Sequence, residues 1–258
     1  RKDARDSQRG QKMGFDAPAV VQNQGRSVVV PHSRGKRLSF WTGGFSPPEW
    51  RQIGTVRIKL NRLWQYGWKM NMAPKTPSVT AFFEERTSSL QYVAADPATG
   101  KCAIIDPVLD YDEKSGAVAT RSADAILEFV KREGLEVEWI LDTHPHADHF
   151  SAAAYLKQKT GAPTAIGERV VDVQKLWKEI YNLTDFSADG SQWDRLFIAG
   201  ERFFVGEIPS YVLFSPGHTL ASITYVIGDA AFVHDTVFMP DGGTARADFP
   251  GGDATRLW

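Results

Sequence analysis

The stretch EVEWILDTHPHADH, residues 136–149, constrains the fold more than any other part of the chain. An apolar, strand-like run leads directly into THPHADH, where three of the six histidines and one aspartate fall within seven residues. Pairs of ligand residues need a rigid support, and a strand that stops just short of them supplies one. His144 and His146 are two apart, and where the backbone turns at a strand end both imidazoles can reach one ion. Pro145 between them restricts how that turn is made. Asp148 and His149 follow where the next helical pattern opens, so they are expected at a helix N-terminus, which favours an aspartate. Pointing away from the first pair, they suit a second metal position, or a base role for Asp148 beside the first.

The remaining polar chemistry lies in a second region. SPGHTLASITYV carries His218, and FVHDTVFM carries His234 and Asp235, each at the end of an apolar run. Five of the six histidines thus fall in two short motifs, and only His32 is outside them. Such a partition points to ligation rather than to scattered core histidines. Imidazole and carboxylate together suit zinc, iron(II) or manganese, and the residue types leave that choice open. His234 itself is expected to point into the opposite sheet.

Between these motifs strands and helices alternate. VTAFF, LQYVAA and CAIIDPV read as strands separated by turn-prone EERTSS and DPATGK. SADAILEFVKREG places Ala125, Ile126, Phe129 and Val130 at helical spacing, with Ser122 as expected N-cap and Gly134 as the stop. AAAYLKQKTG and RVVDVQKLWKEIYNL read as helices around a short strand, PTAIG, and then RFFVG, SYVLFS, SITYVI and AAFVHD follow as strands. That order suits a layered α/β sandwich better than a simple doubly wound sheet.

Charge divides the chain. Residues 1–71 hold 14 Lys and Arg against 4 Asp and Glu, whereas residues 72–258 hold 16 against 27. The basic part, with aromatics as in NRLWQYGWK, has the composition of an arm for nucleic acid or a membrane surface. It lacks sustained patterning, however, and is expected to be an N-terminal extension outside the core domain of 72–258. No apolar run approaches the roughly 18 residues of a membrane span, and no signal-like apolar stretch follows the basic start. A soluble, cytoplasmic protein without membrane or nucleic-acid partners is expected. The single cysteine, Cys102, excludes an internal disulfide and a thiolate metal site, and within KCAIIDP it reads as inert core.

THPHADH, followed about seventy residues on by PGHT and then by an aspartate at a strand end, resembles the metallo-β-lactamase superfamily. The resemblance runs from about Ser78 to Trp258. It implies an αββα sandwich with the metal site at the edge between two sheets, and an enzyme. In dinuclear members His144, His146 and His218 would hold one ion, Asp148 and His149 the second, and Asp235 would bridge them. β-Lactamases of the main zinc class use a cysteine where Asp235 stands, which argues against that activity.

Within the superfamily the stretch DTVFMPDGGTARADFPGGDATRLW is similar to the persulfide dioxygenase branch, through Gly243, Arg246, Asp248 and Phe249, and DPVLDYD and the ADAI helix resemble the same branch. This resemblance implies one Fe(II) held by His144, His218 and Asp235, acting with O₂ on glutathione persulfide. His146, Asp148 and His149 would then support the ligands, Asp106 would lie beneath the metal, and Arg246 would meet a glutathione carboxylate or fix Asp248. The competing branch, glyoxalase II, implies hydrolysis of a glutathione thioester at two zinc ions. An inactive member that keeps the fold is a third expectation. No histidine follows His234, and Thr244 stands where some dioxygenases have a cysteine. From this the chain is expected to lack the family's C-terminal elements, and a homodimer is compatible with that loss.

Overall fold

The computed structural model describes residues 20–23, 26–29, 75–238 and 242–258. Two short strands, β1 (Val20–Asn23) and β2 (Arg26–Val29), come first. A meander follows, made of β3 (Ser78–Glu84), β4 (Ser89–Ala95), β5 (Lys101–Ile105), β6 (Val108–Asp112) and β7 (Ala117–Ala119). Helix and strand then alternate: α1 (Arg121–Arg132), β8 (Glu136–Leu141), β9 (Phe150–Ser151), α2 (Ala153–Thr160), β10 (Thr164–Gly167) and α3 (Val170–Ile180). The last strands are β11 (Arg195–Phe197), β12 (Arg202–Val205), β13 (Ile208–Phe214), β14 (Ile223–Ile227) and β15 (Ala230–Phe232). A 3-10 turn over His234–Thr236 and a short helix, α4 (Ala254–Leu257), complete the order.

Two six-stranded sheets form from these elements, β11-β10-β8-β5-β4-β3 and β1-β2-β15-β14-β13-β12. In the first, β3, β4 and β5 pair antiparallel, and β5, β8, β10 and β11 run parallel. β4 is buried along its whole length, as its near-continuous apolar sequence requires. The inner faces of both sheets share one core, in which Tyr92, Ile105 and Leu141 meet Val212, Tyr225 and Phe232. On the outer face of the first sheet, Ala123, Ile126 and Val130 of α1 and Leu156 of α2 cover Val93, Cys102, Ile104 and Ile140. The spacing of the three α1 residues puts them on one side of the helix, so burial follows from the helical period. Each fully buried Ile or Leu contributes about 1.5–3 kcal/mol relative to exposure. The fold is the expected αββα-type sandwich. Among the described residues, no helix is long and apolar enough to cross a membrane.

Two of the local expectations need correction here. The N-cap position of α1 is Thr120, not Ser122, and Ser122 instead bonds through its backbone and hydroxyl to Asp110. Asp148 and His149 do not open a helix: Phe150–Ser151 first pairs with β6 as a two-residue strand, and α2 starts only at Ala153. The apolar Phe150 is drawn into that pairing, so the chain remains extended beyond the histidines. Most of residues 1–71 lie outside the described residues, and so does His32. Of that segment, β1 pairs antiparallel with β2, and β2 runs parallel to β15.

The topology decides where chemistry can sit. β5 and β8 are parallel, so their C-terminal ends reach one edge of the sheet and deliver Asp106 and the loop from Asp142 to His149 side by side. In such sheets that edge is where ligands bind. From the second sheet, the loop after β13 brings His218 and the turn after β15 brings Asp235 to the same edge. Two cross-sheet bonds fix this meeting: the Tyr225 hydroxyl donates to the Asp142 carbonyl at 3.0 Å, and the Ile223 amide donates to the Thr143 carbonyl at 3.1 Å.

Candidate metal centre

Two groups of donors lie at this edge. His144, His218 and Asp235 each offer one ligand atom, and these atoms all lie within 4.8 Å of one another. The second group, His146, Asp148 and His149, meets the same limit. Asp235 Oδ2 is 3.4 Å from His218 Nε2 and 3.9 Å from His144 Nε2, distances wider than hydrogen bonds and suited to an intervening cation.

Each imidazole of the first group is oriented through its other nitrogen. His218 Nδ1 is 2.9 Å from the Arg246 carbonyl oxygen, which can only accept, so Nδ1 carries the proton and Nε2 keeps its lone pair for a metal. His144 Nδ1 lies 3.1 Å from the Thr143 hydroxyl, which itself donates to Asp106 Oδ2 at 2.9 Å. With its proton spent on Asp106, that hydroxyl accepts from Nδ1, and His144 too is set to present a bare Nε2. That Nε2 is buried and has no protein partner, as is Nε2 of His149. A buried nitrogen left unpaired costs free energy that a bound divalent ion would remove. The orphan nitrogens and the imidazole–carboxylate donor set therefore fit such an ion.

Electrostatics reinforce the arrangement. Burial holds the His144 imidazole well below its usual range, with the neighbouring histidines adding to the effect, so it is neutral and available. Burial would lower His146 too, but the Asp106 carboxylate 3.1 Å from its Nε2 overrides this and raises it to about 9. Asp106, buried and in the left-handed region at φ 51°, would be raised by burial, yet His146 and the Thr143 amide hold it below the ordinary carboxylate range. His149 is lowered, chiefly by burial. Its Nδ1 lies 3.3 Å from Asp148 Oδ2 and 3.2 Å from the Ser89 hydroxyl, which bonds Asp148 at 2.9 Å. Burial raises Asp235 above the usual carboxylate value.

His234 does not point into the opposite sheet. Its ring centroid is 4.5 Å from that of His144, and burial pushes it down to about 3. Arg246 contributes to the site through its backbone. Its guanidinium is exposed, bonds both oxygens of Asp248 at 2.6 and 2.7 Å, and lies 4.6 Å from the Phe249 ring centroid. Phe249 meets the His218 ring edge-on at 5.3 Å. Asp248 is held down to about 2, chiefly by Arg246. Cys102 is buried in β5, and desolvation pushes its thiol up to about 12, so it is chemically inert there.

Sequence reasoning missed four residues of the surroundings. Thr143 and Ser89 orient ligands, yet a lone hydroxyl within a strand pattern carries no signal. Asp142 is buried, accepts from Trp193 Nε1 and from the Ser151 hydroxyl at 2.8 Å each, and is raised to about 6 by burial. A charge closing the apolar run EVEWIL was its visible sign. Trp193, on the loop before β11, had none.

The matching family is the metallo-beta-lactamase superfamily, over residues 86–257, from the hairpin before β4 to the end of α4. The chain belongs to that superfamily. It is 70% identical over 191 residues to a protein of Agrobacterium fabrum named beta-lactamase hydrolase-like protein, a match covering 74% of this chain and 44% of that one. The chain thus spans less than half the length of that relative. It is 49% identical over 183 residues to glyoxylase B2 of Dictyostelium discoideum, covering 70% and 63%. Among solved structures, ETHE1 from Myxococcus xanthus is similar, with a TM-score of 0.54, 28% identity, and coverage of 70% and 66%. At its sheet edge the chain has two clusters of His and Asp residues capable of coordinating a metal ion.

Proposed function

We propose that this chain carries a mononuclear iron site that oxidises glutathione persulfide with dioxygen. The reaction consumes one dioxygen and one water and releases the thiol and sulfite. One observation carries the reading: His144, His218 and Asp235 form a compact trio of two imidazoles and one carboxylate, while His146 is turned to Asp106 at 3.1 Å. Such a trio suits Fe(II), whose remaining positions, when the ion is bound, would take a soft persulfide sulfur and dioxygen. The GTARADF segment and the likeness to Myxococcus ETHE1 support the same branch. In this reading Thr143 and the Arg246 carbonyl hold the two imidazoles in tautomer and plane. Asp106 fixes His146 and Thr143 beneath them, and the exposed Arg246 guanidinium meets a carboxylate of the tripeptide. Asp148, half exposed beside His149, serves as a polar wall rather than a ligand.

A glyoxalase II-like thioesterase with two zinc ions is the second reading. The unpartnered His149 Nε2 and the gathered His146, Asp148 and His149 favour it, and so does the likeness to glyoxylase B2. Metal analysis with an oxygen electrode separates the two. One iron per chain with oxygen uptake on adding glutathione persulfide supports the dioxygenase, whereas two zincs with thioester cleavage and no oxygen uptake would overturn it. The substrate's thiol carrier, a cytoplasmic setting and a homodimer belong to the proposal as well.

A further inference from the structure

His234 is costly to keep and neither donor group includes it. Its backbone is in the left-handed region at φ 40°, uncommon for any residue but Gly, although His, Asn and Asp enter it more often than other side chains. Its side chain is buried, and its Nδ1 has no hydrogen-bond partner. Its Nε2 lies 3.3 Å from the Thr236 hydroxyl, so one end of the ring is tethered within the 3-10 turn. The ring lies against His144, centroids 4.5 Å apart at 37°. His144 is also flanked by His146 at 4.0 Å and His218 at 5.0 Å. A strained backbone and a buried orphan nitrogen both weaken the fold, so their retention points to a task at the ring's contact surface.

We infer that His234 is a positioning residue for the metal centre: tethered by Thr236, its ring backs His144 and holds the plane from which His144 Nε2 faces Asp235. The inference rests on the reading of His144 as a ligand in either enzymatic hypothesis. Metal ligands lose affinity when the groups that orient them are removed, typically 10- to 100-fold. His234 adds a tilted ring contact to the hydrogen bond that Thr143 makes at Nδ1, so the imidazole is held at two places.

Two substitutions in the full chain test this, with cobalt(II) as the probe. His234→Gly removes the ring and relieves the positive φ, but it also leaves a cavity at a buried position, so the metal-free protein is expected to melt somewhat lower and binding is compared at a temperature where both proteins are folded. Its cobalt affinity, measured by chelator competition, is expected to fall about tenfold or more, with a shift in the visible cobalt bands. Thr236→Val keeps the ring but cuts its tether, and the same changes are expected in smaller degree. Unchanged affinity and spectrum in both variants would overturn the inference. His218→Ala is the control for the site itself. If it retains cobalt, the ligand reading has failed, whereas loss of cobalt in His218→Ala with normal binding in His234→Gly defeats only the role given to His234.

Discussion

The two donor groups use the same residue types and stand side by side, yet they are built differently. His144, His218 and Asp235 come from three separate places in the chain, the ends of β8, β13 and β15, and only the finished sandwich unites them. His146, Asp148 and His149 lie within four residues of one loop. In the first group the outer nitrogens are fixed by Thr143 and Arg246, and the inner atoms face one another across 3.4–3.9 Å. In the second, His149 Nδ1 contacts Asp148 and its Nε2 is left without a partner, but His146 Nε2 is already engaged by Asp106. The first group has both imidazoles oriented through their outer nitrogens, while in the second His146 is tied to a carboxylate outside the group. Density of histidines in sequence is thus a poor guide to which of them are poised to bind.

The sharpest way to break this contrast is His218→Ala. It removes one member of the poised trio and is expected to abolish stoichiometric metal binding, as read by elemental analysis of the purified protein. Full metal content in this variant would place the primary site in the loop that carries His146, Asp148 and His149 instead.

Asp106→Asn comes next, because it removes the charge that holds His146 while Asn tolerates the left-handed backbone at φ 51°. Hydrogen bonds to a charged group are worth about 1.5–3 kcal/mol, and a loss of that order is expected in denaturant unfolding of the metal-free protein. The pH dependence has a definite sign. The Asp106 carboxyl is lowered in the fold, so its contribution is present above its ordinary value of 3.8 and lost on acidification. His146 is raised from 6.5 to about 9, so its contribution is complete below 6.5 and disappears as pH climbs through 9. The metal-free protein should therefore weaken between these two values on the alkaline side, and Asp106→Asn should not show that decline. Zinc loading of the second group must displace the His146 proton, and should improve over the same range.

Of the two groups, Ser89→Ala acts on the second, removing its bonds to Asp148 and His149, and it also removes one to the Thr87 hydroxyl. A stability loss of about 0.5–1.5 kcal/mol is expected, with metal content of the first group unchanged. If iron content falls as steeply as in His218→Ala, the two groups are one unit and the contrast is false. The smallest effect is expected from Arg246→Ala. The guanidinium is solvated and the backbone carbonyl that holds His218 survives the change, so melting temperature and metal content should stay as they are. A raised KM for glutathione persulfide with little change in kcat would agree with substrate contact.

Much of this was legible from residue order. Strands with apolar runs, such as LQYVAA and SITYVI, follow from residue type, and Ile126 and Val130 of the α1 stripe follow from period, whereas Ala123 is buried in place of the expected Ala125, which is exposed. The donors were legible too, because His and Asp at strand ends are conspicuous. What stayed hidden was whatever depends on a single bond across the fold. The pairing of Phe150–Ser151 with β6 displaced the expected helix start, since two residues have no period to detect. Ser89, Thr143 and Asp142 look like any polar residue on a strand until their partners arrive from distant segments. His234 was misplaced because its direction is set by a positive φ, which no side-chain pattern announces.

Gly217 shows how far such dependence reaches. A Cβ built at this position would stand 2.5 Å from the backbone nitrogen of Leu257, and the Asp253 amide donates to the Gly217 carbonyl at 2.9 Å. The turn that presents His218 is therefore seated directly on the backbone of α4, with no side chain as a spacer. No substitution at 257 would make room for a side chain at 217, because the obstacle is backbone, so a protein engineer grafting this His218 loop onto another scaffold would have to carry the seat along with it.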